Sequence, residues 1–311
     1  MPVVLDPDAA AVYKAFQEAG RPAYETLTAQ QAREYYRAAR VVSNPEPPAL
    51  ESSKPLAISA PHGTIPARIY TPKVLRKIDG LAPCLVFFHG GGFVIGDLDT
   101  HEVVCQKLAH EGELIVISVD YRLAPEHRFP AAVEDAVTAT RWVAAHAKDL
   151  GIDAARLIVG GDSAGGNLAA VVALAARDGG PKLAGQMLVY PATEFARKHP
   201  SHREPETSIL LTHTVIPWFY AHYVADPDDW RASPARARSF AGLPPAYVLT
   251  AGADPLRDEG DEYATLLKDA GVPVTYRHFP GQFHGFFTMG KLLNQANVAV
   301  SEISAWLKTL G

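Results

Sequence analysis

From residue 84 onward, two apolar patterns alternate along the chain. Short, nearly continuous apolar runs at 84–88, 114–119, 156–159, 186–190, 246–250 and 274–279 are separated by stretches with helical spacing at 101–111, 131–148, 164–176, 258–270 and 294–309. Strands that are apolar on both faces and separated by helices predict a mostly parallel sheet covered on both sides. Before residue 84 the pattern differs. Segments 56–59 and 65–70 alternate polar and apolar around the turn signal Pro61-His62-Gly63, as antiparallel edge strands do. Segments 8–19 and 28–41 read as helices, the second opening on Thr28 with Gln31 three residues on, a capping pair. The cluster Asn44-Pro45-Glu46-Pro47-Pro48 punctuates the chain as a linker would. Residues 195–240 break the rhythm: they lack a strand and carry His, Pro, Trp and Tyr, so they read as an insertion.

Composition changes this picture little. The 311 residues are 48% hydrophobic and 20% charged, enough apolar material for one large core. A net charge of -5 and a pI near 6.2 give no electrostatic case for binding nucleic acid or an anionic membrane. The two cysteines, Cys84 and Cys105, do not make a disulfide framework, and reduced thiols are expected. The N-terminal residues lack a basic stretch followed by an apolar one, and no run approaches bilayer-spanning length. A cytoplasmic protein without stable membrane association is the expectation. Homodimerisation is compatible with all of this.

Candidate chemistry begins at Gly161-Asp162-Ser163-Ala164-Gly165, a G-x-S-x-G match between an apolar strand and an alanine-rich helix. About 0.07 such matches are expected by chance, so the strand-before, helix-after context carries the weight. A sharp strand-to-helix turn presents the serine hydroxyl, and it needs glycine two residues to either side, where a side chain would clash. The helix start that follows adds free N–H groups and a positive dipole end.

Upstream, His89-Gly90-Gly91-Gly92 directly follows the strand at 84–88. Consecutive glycines let backbone N–H groups approach a developing oxyanion with no Cβ in the way. A dinucleotide turn is excluded, because Ile95 stands where G-x-G-x-x-G needs its last glycine. His89 reads as a loop brace rather than a base. Metal hydrolysis fails on its motif: His101-Glu102-Val103-Val104-Cys105 has cysteine where H-E-x-x-H needs histidine.

A base and its orienting acid should follow the serine in the order acid, then histidine. His199, His202, His213 and His222 fall in the insertion, and His278 lies within a strand pattern. His284 follows the last strand in the loop Pro280-Gly281-Gln282-Phe283-His284-Gly285, where an imidazole can reach Ser163. Asp254 sits at the carboxyl end of the strand at 246–250, where catalytic groups of such sheets collect. Asp258 and Glu259 suit the first turn of the following helix instead.

Four blocks together resemble the hormone-sensitive-lipase-like carboxylesterases: His89 to Phe93, Asp120 to Ala132, Gly161 to Gly165, and Asp254 to Asp258 with His284-Gly285-Phe286. In order and spacing they cover residues 84 to 287. The resemblance implies an eight-stranded α/β-hydrolase fold with its second strand antiparallel. It implies a helical cap from residues 1–45 and 195–230, over a core of residues 46–194 and 231–311. It also implies a triad of Ser163, Asp254 and His284, and oxyanion donors at Gly91, Gly92 and Ala164. The expected activity is hydrolysis of short- to medium-chain carboxylic esters, with a small-molecule ester as the partner and no cofactor. The same triad could serve an amidase or aryl-formamide hydrolase. A binding-only receptor on this scaffold is disfavoured, because His284 is present. Phe93, Trp218, Phe219 and Phe286, aromatic and beside the motifs or in the insertion, are candidates for the substrate pocket.

Overall fold

A computed structural model describes residues 3–20 and 22–310. Met1, Pro2, Arg21 and Gly311, which fall within the expected segments 1–45 and 231–311, lie outside the described residues. Eight strands form one sheet in the order β1-β2-β4-β3-β5-β6-β7-β8. The hairpin of β1 (Ser52–Ala60) and β2 (Gly63–Thr71) turns where Ala60 pairs with Gly63, and β2 also runs antiparallel to β4 (Ile115–Val119). The other pairs are parallel: β3 (Ala82–Phe88), β5 (Ile152–Asp162), β6 (Gly185–Val189), β7 (Ala246–Ala253) and β8 (Val274–Phe283).

The two-residue period of a strand divides the core. In β3, Leu85 and Phe87 point into one apolar layer while Cys84, Val86 and Phe88 point into the other. Helices α3 (Glu102–Gly112) and α8 (Asn294–Leu307) close the first layer with Leu108, Val300 and Ile303. Helices α4 (Ala131–Ala145), α5 (Ala164–Arg177) and α7 (Arg257–Asp269) close the second with Val143, Leu168 and Leu267. Each side is sealed by the apolar stripe of its helices, as the alternating pattern required.

Three further helices, α1 (Pro7–Glu18), α2 (Ala29–Ser43) and α6 (Val215–Tyr223), supply walls of a cavity at the carboxyl end of the sheet. Thr28 caps α2 together with Gln31 in the reciprocal arrangement the sequence predicts. Arg33 fastens α2 to the core: its Nε donates to Val94 O at 2.8 Å and its Nη2 to Ala124 O at 2.8 Å, beside an ion pair with Glu126. The segment 195–240 contains no strand, only α6 and short 3-10 turns. Among the described residues no helix is long and apolar enough to cross a membrane.

One expected loop is strand instead. Pro280 to Phe283 continue β8 past an irregularity opposite Gly252, and Ala253 pairs with Phe283. A proline is tolerated there because β8 is the sheet's edge and the missing N–H costs no ladder bond. His284 is therefore the first residue beyond the strand, anchored by it rather than carried on a free loop.

Candidate active site

Strand β5 ends at Asp162 and α5 begins at Ala164, so Ser163 is the whole of the turn. Its φ of 56° and ψ of -117° are unusual for a residue with a side chain, a strain that persists only where the surroundings fix it. The fixing is a matter of space. A Cβ on Gly165 would lie 1.9 Å from Phe88 O, so only glycine lets the helix start this close to β3.

His284 lies between two partners. Its Nδ1 is 2.7 Å from Asp254 Oδ2 and its Nε2 is 2.9 Å from Ser163 Oγ. A carboxylate can only accept, so Nδ1–H donates and Nε2 is left to accept from the serine. Asp254 is fully buried, and its other oxygen accepts the Leu256 N–H at 2.8 Å. The rival acid is engaged elsewhere: Asp258 pairs with Arg257 and accepts the Ser201 N–H. So are the rival histidines, with His202 on Glu259 at 2.6 Å, His199 near Glu262, His213 on Thr207, His222 on Trp218 O and His278 on Thr250.

Opposite the serine, β3 runs out into His89 to Gly92. Gly91 and Gly92 both have positive φ, 123° and 58°. A Cβ on Gly92 would strike the Phe219 ring at 2.3 Å. Ala164, at the first position of α5, has one of the free N–H groups of a helix start.

A buried polar cluster holds this turn from behind. Gly90 N–H donates to Asp162 Oδ1 at 2.9 Å, and His89 Nδ1 donates to Gly90 O at 2.8 Å. The His89 ring stacks on Tyr121, whose hydroxyl donates to His89 O at 2.7 Å. Burial, with neighbouring His101, pushes His89 down to about 4, so the ring is neutral near pH 7 and braces without charge. For Asp162, burial alone would raise the carboxyl pKa. His101, 3.3 Å away, and the Gly90 N–H outweigh burial and hold it below the ordinary value.

Ser163, His284, Gly91, Gly92 and Ala164 all line one cavity of about 450 Å³, whose other walls are mostly apolar. Residues 85–288 match the model of a family described by the alpha/beta hydrolase fold. The esterase LipI of Mycobacterium tuberculosis is 48% identical over 236 residues, 74% of this chain and 73% of that protein. An ethyl acetate hydrolase of Pseudomonas putida is 39% identical over 308 residues, 94% of this chain and 95% of its own length. Among solved structures, an alpha/beta hydrolase enzyme from the metagenome of Lake Arreo, Spain, superposes with a TM-score of 0.93 at 41% identity, covering 98% of each chain. The chain belongs to the hormone-sensitive-lipase-like carboxylesterases, within the α/β hydrolases.

In this hydrolase, two of the four aromatic pocket candidates border the cavity. Phe93 lines it, held by stacking on Tyr223 at 4.0 Å, and Phe219 lines it over Gly92. The other two need correction. Phe286 is wholly buried between Tyr190 and Phe279, because the turn after His284 sends it into the core. Trp218 sits edge-on behind Phe219, with centroids 5.1 Å apart, and is not among the lining residues. Sequence reasoning missed Tyr36, Arg40 and Met289, which do line the cavity. Cavity-lining positions 36, 39, 40 and 43 of α2 recur at helical spacing, but a mixture of Tyr, Ala, Arg and Ser does not mark that face as a cavity wall.

Proposed function

We propose that this carboxylic ester hydrolase cleaves short- to medium-chain esters through an acyl-enzyme on Ser163. Ser163 Oγ attacks the ester carbonyl as His284 Nε2 takes its proton. Asp254, accepting from His284 Nδ1–H, holds the ring in that tautomer and stabilises the imidazolium. The new oxyanion is received by the Gly91, Gly92 and Ala164 amides, and His284 returns the proton to the leaving alkoxide. Water activated by the same imidazole then releases the acid.

The observation that carries this reading is the unbroken line from Asp254 through His284 to Ser163, ending in the cavity beside Gly91 and Gly92. The substrate range is supported by the cavity beside Ser163, whose volume of about 450 Å³ is that of a site for a small organic ligand. The name of the Pseudomonas putida relative, an ethyl acetate hydrolase, points the same way. Segments 1–45 and 195–230 act as a cap, since α1, α2 and α6 contribute walls over the serine. Two buried free thiols suit a cytoplasmic setting.

Organophosphate labelling followed by peptide mass spectrometry tests the reading. The label is expected on Ser163, and modification of any other residue in its place would overturn the mechanism. Acyl range is read from kcat/KM on p-nitrophenyl acetate, butyrate and palmitate. A preference for palmitate would sink the assigned range.

A further inference from the structure

Three arginines share one face of α2, spaced i, i+4 and i+7: Arg33, Arg37 and Arg40. Arg33 pairs with Glu126 and Arg37 with Asp97. Arg40, the most buried at 6% exposure, has no carboxylate partner among the described residues. Its Nη1 donates to Thr288 Oγ1, its guanidinium lies 4.5 Å from the centre of the Tyr36 ring, and its Nε is buried without a partner. It is also the one Lys or Arg among the described residues that line the cavity holding Ser163.

A buried cation normally has an anion beside it, because lost hydration costs several kcal/mol that a hydroxyl and a ring face only partly restore. The carboxyl end of α2 helps, since its free carbonyls favour a cation in the last turn. None of these is a counter-ion. The mostly apolar lining of the cavity would strengthen any charge pair formed within it. Its partner Thr288 lies four residues beyond His284, and Thr288 Oγ1 donates to Gly285 O, so the cation is tied to the turn that carries the base.

We propose that Arg40 is a specificity-determining residue that receives an ionised carboxylate carried by the ester itself. The preferred substrates are then short esters with a second, free carboxylate, in either the acyl or the alcohol half. This rests on the ester-hydrolase reading above and narrows its substrate class. The guanidinium fork offers two parallel N–H donors to such a group, and an uncharged amide of the same shape forfeits the charge.

Two isosteric pairs distinguish the halves: monoethyl succinate against ethyl succinamate, and O-butyryl lactate against O-butyryl lactamide. For at least one pair, kcat/KM should favour the carboxylate tenfold or more, chiefly through KM. Arg40→Met should lower that ratio at least tenfold, and Arg40→Lys should keep part of it. Thr288→Val, which cuts the tie to the base's turn but keeps the cation, should preserve the ratio. A purely structural Arg40 would instead depress both members of each pair alike and leave their ratio unmoved, which overturns the proposal. So does wild-type preference for the amide in both pairs, a result that needs no variant to fold. If no ester is turned over at all, the hydrolase reading fails. Calorimetry on the Ser163→Ala chain still decides Arg40, because carboxylate binding must then weaken tenfold when Arg40→Met is added.

Discussion

The floor and the roof of the cavity are built on different principles. The floor consists of the turns at 88–92 and 161–165, where backbone approaches backbone so closely that a methyl group has nowhere to go. The roof consists of α1, α2 and the segment around α6, from which side chains such as Tyr36, Arg40 and Phe219 line the cavity. On the proposed mechanism, chemistry that depends on placing amides and a hydroxyl within tenths of an ångström sits on the close-packed part. Substrate choice falls to the part whose side chains can vary without moving the sheet. The floor should therefore fail in kcat and the roof in selectivity.

The sharpest way to break the comparison is at the floor. Asp254→Asn should lower kcat on the order of 10⁴-fold with little change in the fold, since the amide favours the wrong imidazole tautomer. Steady-state kinetics on p-nitrophenyl butyrate checks it, and a loss under tenfold would remove Asp254 from the relay. Gly92→Ala comes next. Alanine is disfavoured at φ 58°, and its methyl would meet the Phe219 ring. Displacing one oxyanion donor should cost about 10²–10³ in kcat with a smaller change in KM. Activity within threefold of wild type would mean that the Gly92 amide does not face the oxyanion.

The same division explains what could be read in advance. Glycines at 91, 92, 161 and 165 and the order of Ser163, Asp254 and His284 are constraints that backbone geometry writes into the sequence, so the alignment of these three side chains was legible. Asp254 could be told from Asp258 because a carboxylate in a helix's first turn has a local reason to be there. Strand ends were less legible: β8 runs on through Pro280-Gly281, residues that signal a turn anywhere but on an edge strand. The roof was barely legible. Proximity to a motif assigned Phe286 and Trp218 to the pocket, but adjacency in sequence does not say which way a ring points. Arg40 is one of three arginines on a single face of α2, and only long-range packing gives it a cavity instead of a carboxylate.

Acid should find the floor before the roof. The His89 ring resists protonation down to about 4 in the folded chain, against 6.5 ordinarily. Between those values the unfolded chain binds the proton and the folded chain does not, so stability falls as pH drops from 6.5 toward 4. This one ring accounts for up to about 3 kcal/mol of that loss. Asp162, also held below its ordinary range, adds a further loss at lower pH. Melting temperatures followed from pH 7.5 to 4.5 should slope less steeply in His89→Asn than in the wild type. Parallel slopes would place the acid sensitivity elsewhere.

The smallest expected effect belongs to the roof. Phe219 covers Gly92 and is 8% exposed, so its ring limits the room above the oxyanion rather than forming it. Phe219→Leu is the substitution to make, because truncation to alanine at so buried a site would cost about 3–5 kcal/mol and confuse stability with selectivity. The smaller side chain should shift kcat/KM toward bulkier acyl groups, branched over acetyl, by roughly tenfold, the scale of a methylene or two in an apolar pocket. The turnover number on the best ester should stay within a few-fold. A uniform loss of kcat across all acyl groups would show instead that the ring holds the oxyanion turn in place, and the division between floor and roof would have to be redrawn through α6.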